Sequence, residues 1–251
     1  MTTLYMGASP EKISKYVLFS GDPFRVERIK NYLDNPEHIA FMREFNTYTG
    51  TYKGIPVTVT STGIGSPSAA IAMEEMYEAG MEVAVRMGTV MSLDDSMLGN
   101  FMIPIAAMRR ESTSSCYVDL SYPAVADVEL VNVMNKTVEQ FGKRYLNGLN
   151  CTMDGFYSHM HDSRFSLEKN KDMQKTFDEL KDLHVTGIDM ESSCLMTLGR
   201  LMGVKTCVLT VVTVLENLKE TLQGQDRIDA EELLCRVALE GIYNYSKLEE
   251  K

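Results

Sequence analysis

Short β-branched runs alternate with helix-like stretches through most of this 251-residue chain, and no other feature narrows its fold as far. YVLFS is followed by PFRVERIKNYL, PVTVTS by PSAAIAMEEMYEAG, VTGIDM by SSCLMTLGRLMG and KTCVLTVVTV by AEELLCRVALEGIYNY; VAVRMG and FMIPIAAM read as further strands and VELVNVMNKTVEQFG as a further helix. Such alternation implies an α/β fold, because helices joining neighbouring strands must cover the faces of the sheet. No Pro/Gly/Ser linker, low-complexity tract or repeat interrupts it, so one domain is expected over 1–251. The polar stretch Tyr157 to Lys171 lacks clear periodicity and reads as a loop.

Composition removes several classes of function. With 25 Lys and Arg against 35 Asp and Glu, the formal charge of −10 opposes attraction to a phosphate backbone, so no nucleic-acid partner is expected. No apolar run nears the roughly 20 residues of a membrane span, and the first residues lack a basic stretch leading into an apolar one; the expected location is the cytoplasm. Cys116, Cys151, Cys194, Cys207 and Cys235 include no CxxC pair and read as reduced core residues. The 18 methionines, many inside apolar segments, suggest a pliable core.

Several strands end at glycines: Gly21 after YVLFS, Gly63 and Gly65 after PVTVTS, and Gly88 in VAVRMG. The carboxyl ends of strands in open α/β sheets are the usual ligand site, and backbone N–H groups there suit an anion such as phosphate. GxxxxGKS/T is absent and Gly63-Ile64-Gly65 lacks a third glycine, which disfavours ATP and NAD. Arg86 interrupts an apolar strand; its charge is permanent, so it needs either a ligand phosphate or an internal carboxylate. Arg25 follows the turn Gly21-Asp22-Pro23 and Arg43 closes HIAFMR, where a ligand and a surface role are both open. Strand alternation would put Asp189 and Glu191 on one face, with Glu191 at the ligand end; the alternative is that either one caps the following helix.

Gly21-Asp22-Pro23-Phe24-Arg25, Arg43-Glu44-Phe45, Ser61 to Ser68, Arg86-Met87-Gly88-Thr89, Tyr122 to Asp127, Phe156-Tyr157 and Asp189-Met190-Glu191-Ser192 occur in this order. In register, these segments resemble the nucleoside phosphorylase-I superfamily, and within it the uridine phosphorylases; beyond residue 192 only the helix and strand pattern fits. The resemblance implies a three-layer α/β/α fold around a mixed, partly barrel-closed sheet, assembled as a homodimer or a trimer of dimers with shared sites. It implies phosphate held by Gly21, Arg25, Arg86 and Thr89, with Arg43 reaching the neighbouring subunit's site, and ribose held by Met190 and Glu191, with Thr89 beside the sugar. Arg86 and Glu191 would then carry the chemistry, and Phe156 would stack on the base or simply pack.

Inorganic phosphate is itself the nucleophile in phosphorolysis, so neither a Ser-His-Asp set nor a metal is needed, and no cofactor is expected for the chemistry. The implied reaction is uridine or deoxyuridine plus phosphate giving uracil and the sugar 1-phosphate. A purine or unusual nucleoside, or binding without turnover, are the alternatives. Three departures bear on the choice. Met160 and Asp162 stand where related uridine phosphorylases carry a Gln and an Arg that read uracil, so base contacts fall to these two or to His159, His161, Arg164, Lys169 or Lys171. Met91 replaces a glycine, and Tyr5 an N-terminal histidine that reaches a neighbour's ribose. Thr213, Val214 and Leu215 stand where purine enzymes place an aspartate. The resemblance further implies a structural potassium ion between subunits, held by Glu44, Ile64 and Ser68, unless Glu44 pairs with an arginine and Ser68 caps its helix.

Overall fold

A computed structural model describes residues 1–250. Five strands build the core of the sheet: β1 (Tyr16–Ser20), β4 (Ile55–Ser61), β5 (Val83–Ser92), β11 (Val185–Asp189) and β12 (Lys205–Leu215). β1 pairs parallel with β4 and β5, β12 pairs parallel with β5, and β11 joins the far end of β5 antiparallel. Beyond β4 lie β3 (Phe45–Tyr52) and β2 (Asp34–Met42). Beyond β11 lie β10 (Leu149–Met153), β7 (Ala106–Arg110) and β8 (Ala124–Val125), while β6 (Phe101–Met102) and β9 (Tyr145–Leu146) branch off β12. The result is a mixed, branched sheet of 12 strands that does not close, in accord with the partly barrel-closed architecture expected.

Period-two alternation sorts side chains between two helical layers. Leu18, Val83, Val85 and Met87 face α1 (Pro23–Ile29), α3 (Val128–Gln140) and α8 (Gly224–Glu249). Val17, Phe19 and Ala84 face α2 (Ser66–Glu78) and α7 (Ser192–Met202). Arg86, two residues beyond Ala84, therefore points to the α7 side of the sheet.

Four sequence expectations change. The stretch expected to be a loop forms α4 (Phe156–His159) and α5 (Arg164–Glu168), ahead of α6 (Met173–Asp182), with Ser163 and Ser166 closing a reciprocal cap at the start of α5. FMIPIAAM divides into β6 and β7, since Pro104 has no N–H to continue a ladder. α8 begins at Gly224, six residues before the apolar periodicity does. Cys116 is exposed, whereas Cys151, Cys194, Cys207 and Cys235 are free and buried, with burial raising each thiol's pKa. No described helix is long and apolar enough to cross a membrane.

Candidate active site

The carboxyl ends of β1, β4, β5 and β12 open into one cavity of about 730 Å³. Its two ends differ in chemistry. One is charged, with Gly21 and Arg25 after β1, Arg86 and Thr89 on β5, Glu191 at the start of α7, and Arg227 and Glu231 on α8. The other is apolar, where Met91, Phe156, Met160, Ile188, Met190, Val214 and Leu218 pack together. This wall continues into the core built around Met153, Phe177 and Leu180.

Arg86 and Glu191 form a buried ion pair between Nη2 and Oε2, with side chains 6% and 5% exposed. Glu191 Oε1 also accepts from the Gly65 N–H at 2.7 Å, which ties the loop after β4 to the head of α7. The internal carboxylate considered for Arg86 is thus real, yet it leaves Arg86 Nε and Nη1 buried with no hydrogen-bond partner among the described residues. An orphaned buried guanidinium nitrogen is costly, so these donors call for a further acceptor. Gly88 keeps the space beside them free: a Cβ there would lie 3.4 Å from Arg86 Cζ.

Glu191 does not sit on a strand as alternation suggested. β11 ends at Asp189, and Glu191 occupies the N-cap position of α7 with φ −142° and ψ −23°, its side chain making no cap bond. Asp189 does the capping instead, accepting from the Ser192 N–H at 3.3 Å and from the Ser192 hydroxyl, and taking a further bond from Thr152 Oγ1 at 2.8 Å. Sharing the work this way frees the Glu191 carboxylate for the cavity. Burial is the main influence on Glu191 and raises its pKa; Arg86 pulls it back, and nearby Asp189 raises it again, leaving it above the ordinary carboxylate range.

Arg25 is also buried, donating from Nη1 to Ser20 Oγ at 3.2 Å and approaching Glu231 Oε2 to 3.4 Å from Nη2, while its Nε lacks a partner among the described residues. Glu231 meets Arg28 at 3.2 Å and Arg227 at 2.8 Å as well. Burial opposes ionisation of Glu231, but the three guanidiniums outweigh it and hold the carboxyl below its ordinary range.

Of the base-reading residues expected from sequence, Phe156 and Met160 line the cavity and Asp162 does not. Asp162 is engaged by Asn217: its Oδ2 accepts from Asn217 Nδ2 at 2.9 Å, and its N–H donates to Asn217 Oδ1 at 3.2 Å. Asn217 and Leu218 both take the left-handed conformation, φ 49° and 57°, that non-glycine residues adopt at a cost. This clamp fixes the α4 segment over the apolar wall. His159, His161, Arg164, Lys169 and Lys171 also stand outside the cavity. Thr213 lines it, because a register shift between Val212 and Val214 leaves that residue bulged out of the β12 to β5 ladder.

Tyr5 and Arg43 do not line the cavity of their own chain; the Arg43 guanidinium lies 5.4 Å from the centre of the exposed Tyr5 ring. Glu44 lines the cavity together with exposed Ile64, and the single Ser68 hydroxyl proton is shared between Glu44 Oε1, at 2.7 Å from Oγ, and the Thr62 carbonyl. Within its own chain Glu44 is bonded by Ser68 and by no arginine among the described residues, and α2 is entered through Gly65, with Ser68 inside its first turn and not at its cap. Gly63, at φ 69°, lets the Glu44 chain approach, since a Cβ there would come within 2.7 Å of Glu44 Cγ. Arg227 and Glu231 are the functional candidates that sequence reading missed.

Comparison with known proteins identifies the family. Residues 15–240 match the phosphorylase superfamily. The uridine phosphorylase of Thermococcus kodakarensis is 37% identical over 209 residues, covering 82% of this chain and 76% of that one. A crystal structure of uridine phosphorylase from Vibrio fischeri ES114 superposes with a TM-score of 0.84 at 28% identity over 96% of both chains. The purine nucleoside phosphorylase of Toxoplasma gondii reaches a TM-score of 0.85 at 24% identity, covering 98% of this chain and 97% of that one, a likeness of fold alone.

Proposed function

The chain belongs to the phosphorylase superfamily, and from that premise we propose that it catalyses reversible phosphorolysis of a pyrimidine nucleoside, uridine or deoxyuridine. The observation that carries this reading is the buried Arg86–Glu191 pair, with two Arg86 nitrogens still unpartnered, at the charged end of a cavity whose other end is apolar. A phosphate dianion held by Arg25, Arg86, the Gly21 backbone and Thr89 supplies the acceptors those donors lack. Glu191 and Met190 hold the ribose, Glu191 through its hydroxyls. A phosphate oxygen bonds to the anomeric carbon as the carbon–nitrogen bond breaks; its electron pair leaves with the base, which takes up a proton, and the sugar 1-phosphate forms. As the sugar becomes cationic, the Glu191 carboxylate and the phosphate stabilise it.

Phe156 and Met160 give the base an apolar slot, and Asp162 has no part in it. Pyrimidine is favoured over purine by the uridine phosphorylase relatives and by Thr213, a neutral hydroxyl that lacks the acidity an aspartate would offer a departing purine. The fold itself does not choose between them, since a purine enzyme shares it.

The proposed assembly is a homodimer or trimer of dimers, with Arg43 and Tyr5 serving the neighbour's site, in the cytoplasm and in nucleoside salvage. Glu44, Ser68 and the Ile64 carbonyl offer hard oxygens that fit a potassium ion, and the close approach of Glu44 to Ser68 supports that placing. The deciding experiment follows loss of uridine, deoxyuridine, inosine and guanosine with and without phosphate. Phosphate-dependent cleavage of the pyrimidine nucleosides is expected; cleavage of purines only, or none, overturns the reading.

A further inference from the structure

We propose that Arg227, carried on the C-terminal helix, is an additional phosphate-binding residue, held ready at the charged end of the cavity by Glu231. The inference rests on the phosphate reading of that end. Residues 227 and 231 lie one helical turn apart on α8, and their Nε to Oε1 contact is 2.8 Å. Such a pair usually belongs to a solvated helix face. Here both residues line the cavity, and Glu231 is only 6% exposed.

Glu231 is shared among several arginines. Glu231 faces Arg25, Arg28 and Arg227, three permanent cations sharing one carboxylate. Arg25 is fixed by burial and by its bonds to Ser20 and Glu231. Arg227 is less constrained: its side chain is 37% exposed, and only Nε of its guanidinium is bonded among the described residues. Both terminal nitrogens remain available to an anion entering beside Arg25. The long, deeply packed body of α8, with Leu234, Cys235, Val237 and Ala238 fully buried, holds this first turn in place without a flexible loop.

Arg28 provides the control that separates ligand binding from mere support of Glu231. It shares the same carboxylate at 3.2 Å but is not among the residues lining the cavity. Wild type, Arg227→Gln, Arg227→Lys and Arg28→Gln are titrated with inorganic phosphate by calorimetry, and the phosphate and nucleoside KM values are measured separately. Arg227→Gln is expected to weaken phosphate binding and raise the phosphate KM about tenfold, the lower range for a charge-assisted bond at a partly exposed site, with the nucleoside KM unchanged. Arg227→Lys recovers part of the loss, and Arg28→Gln leaves phosphate binding as in wild type. Equal effects of Arg227→Gln and Arg28→Gln, or no effect of the former in a folded variant, would overturn the proposal. Phosphate binding without turnover of any nucleoside would overturn the enzymatic reading and still test Arg227 directly; a wild type that does not bind phosphate overturns both.

Discussion

Replacing Glu191 by glutamine keeps the side chain's size and removes its charge, which isolates what the carboxylate does for Arg86. The Gly65 N–H can still donate to the amide oxygen, so that contact at 2.7 Å is weakened and not lost. The Arg86 partner is lost as a charge. Both side chains are almost wholly buried, 6% and 5% exposed, and Arg86 already has two unpartnered nitrogens. Removing one member of such a pair costs roughly 3–5 kcal/mol, chiefly from the cation left behind. At about 2–4 °C per kcal/mol for a chain of this size, the melting temperature should fall by roughly 6–20 °C. Phosphate should reverse much of that fall, because the dianion becomes the counter-charge of Arg86. Phosphate should therefore stabilise Glu191→Gln more than wild type, while kcat for nucleoside falls about a hundredfold through loss of charge stabilisation at the sugar. Thermal unfolding across a phosphate series, with steady-state kinetics on the same preparations, measures both. Identical melting and identical phosphate response in variant and wild type would refute the Arg86 account. A variant that melts far lower but keeps full specific activity would remove Glu191 from the ribose site.

The pH dependence of stability should report on Glu231. Despite its burial, Glu231 is held low by Arg227, Arg25 and Arg28; its contribution is present above the ordinary range and lost as pH falls through the lowered value. Denaturant unfolding as a function of pH should show this acid-side loss shrink in Glu231→Gln; an unchanged pH profile would contradict the assignment. For the cation, dimer stability and phosphate affinity should be higher in potassium than in a bulky organic cation at equal ionic strength, and Glu44→Gln should abolish the difference. An equal wild-type response to the two salts excludes the site.

How far the sequence reports the fold depends on how much of an element is buried and how long it runs. β1, β5 and β12 were legible because burial on both faces leaves apolar runs, α3 because one stripe is apolar, and α7 because its first eight residues are buried all round. β2 is exposed along nearly its whole length at the sheet's edge, so DNPEHIAFM carries no alternation to detect. α4 and α5 span four and five residues, about one helical turn each, too short for any periodicity to emerge. Their helical state is set by a local cap and by the Asn217 clamp from β12's far end, a contact between residues 55 positions apart.

The site divides along the same line. Arg86 announced itself because a permanent charge in an apolar strand needs an explanation, and Glu191 because it follows a strand at a helix start. Arg227 and Glu231 gave the opposite impression, since opposite charges at i and i+4 are what solvated helix faces show. What changes their meaning is the approach of α1, which brings Arg25 and Arg28 to the same carboxylate across some two hundred positions of sequence. Asp162 shows the converse. Its position resembles a base-reading one, but a single amide from Asn217 satisfies it outside the cavity. A residue's neighbours in sequence reveal whether its charge is unusual for its element; only its neighbours in space decide whether that charge remains available to a ligand. By that criterion Arg25, Arg86 and Arg227, with donors still free, are the residues on which phosphate affinity should depend, and Asp162 is one on which it should not.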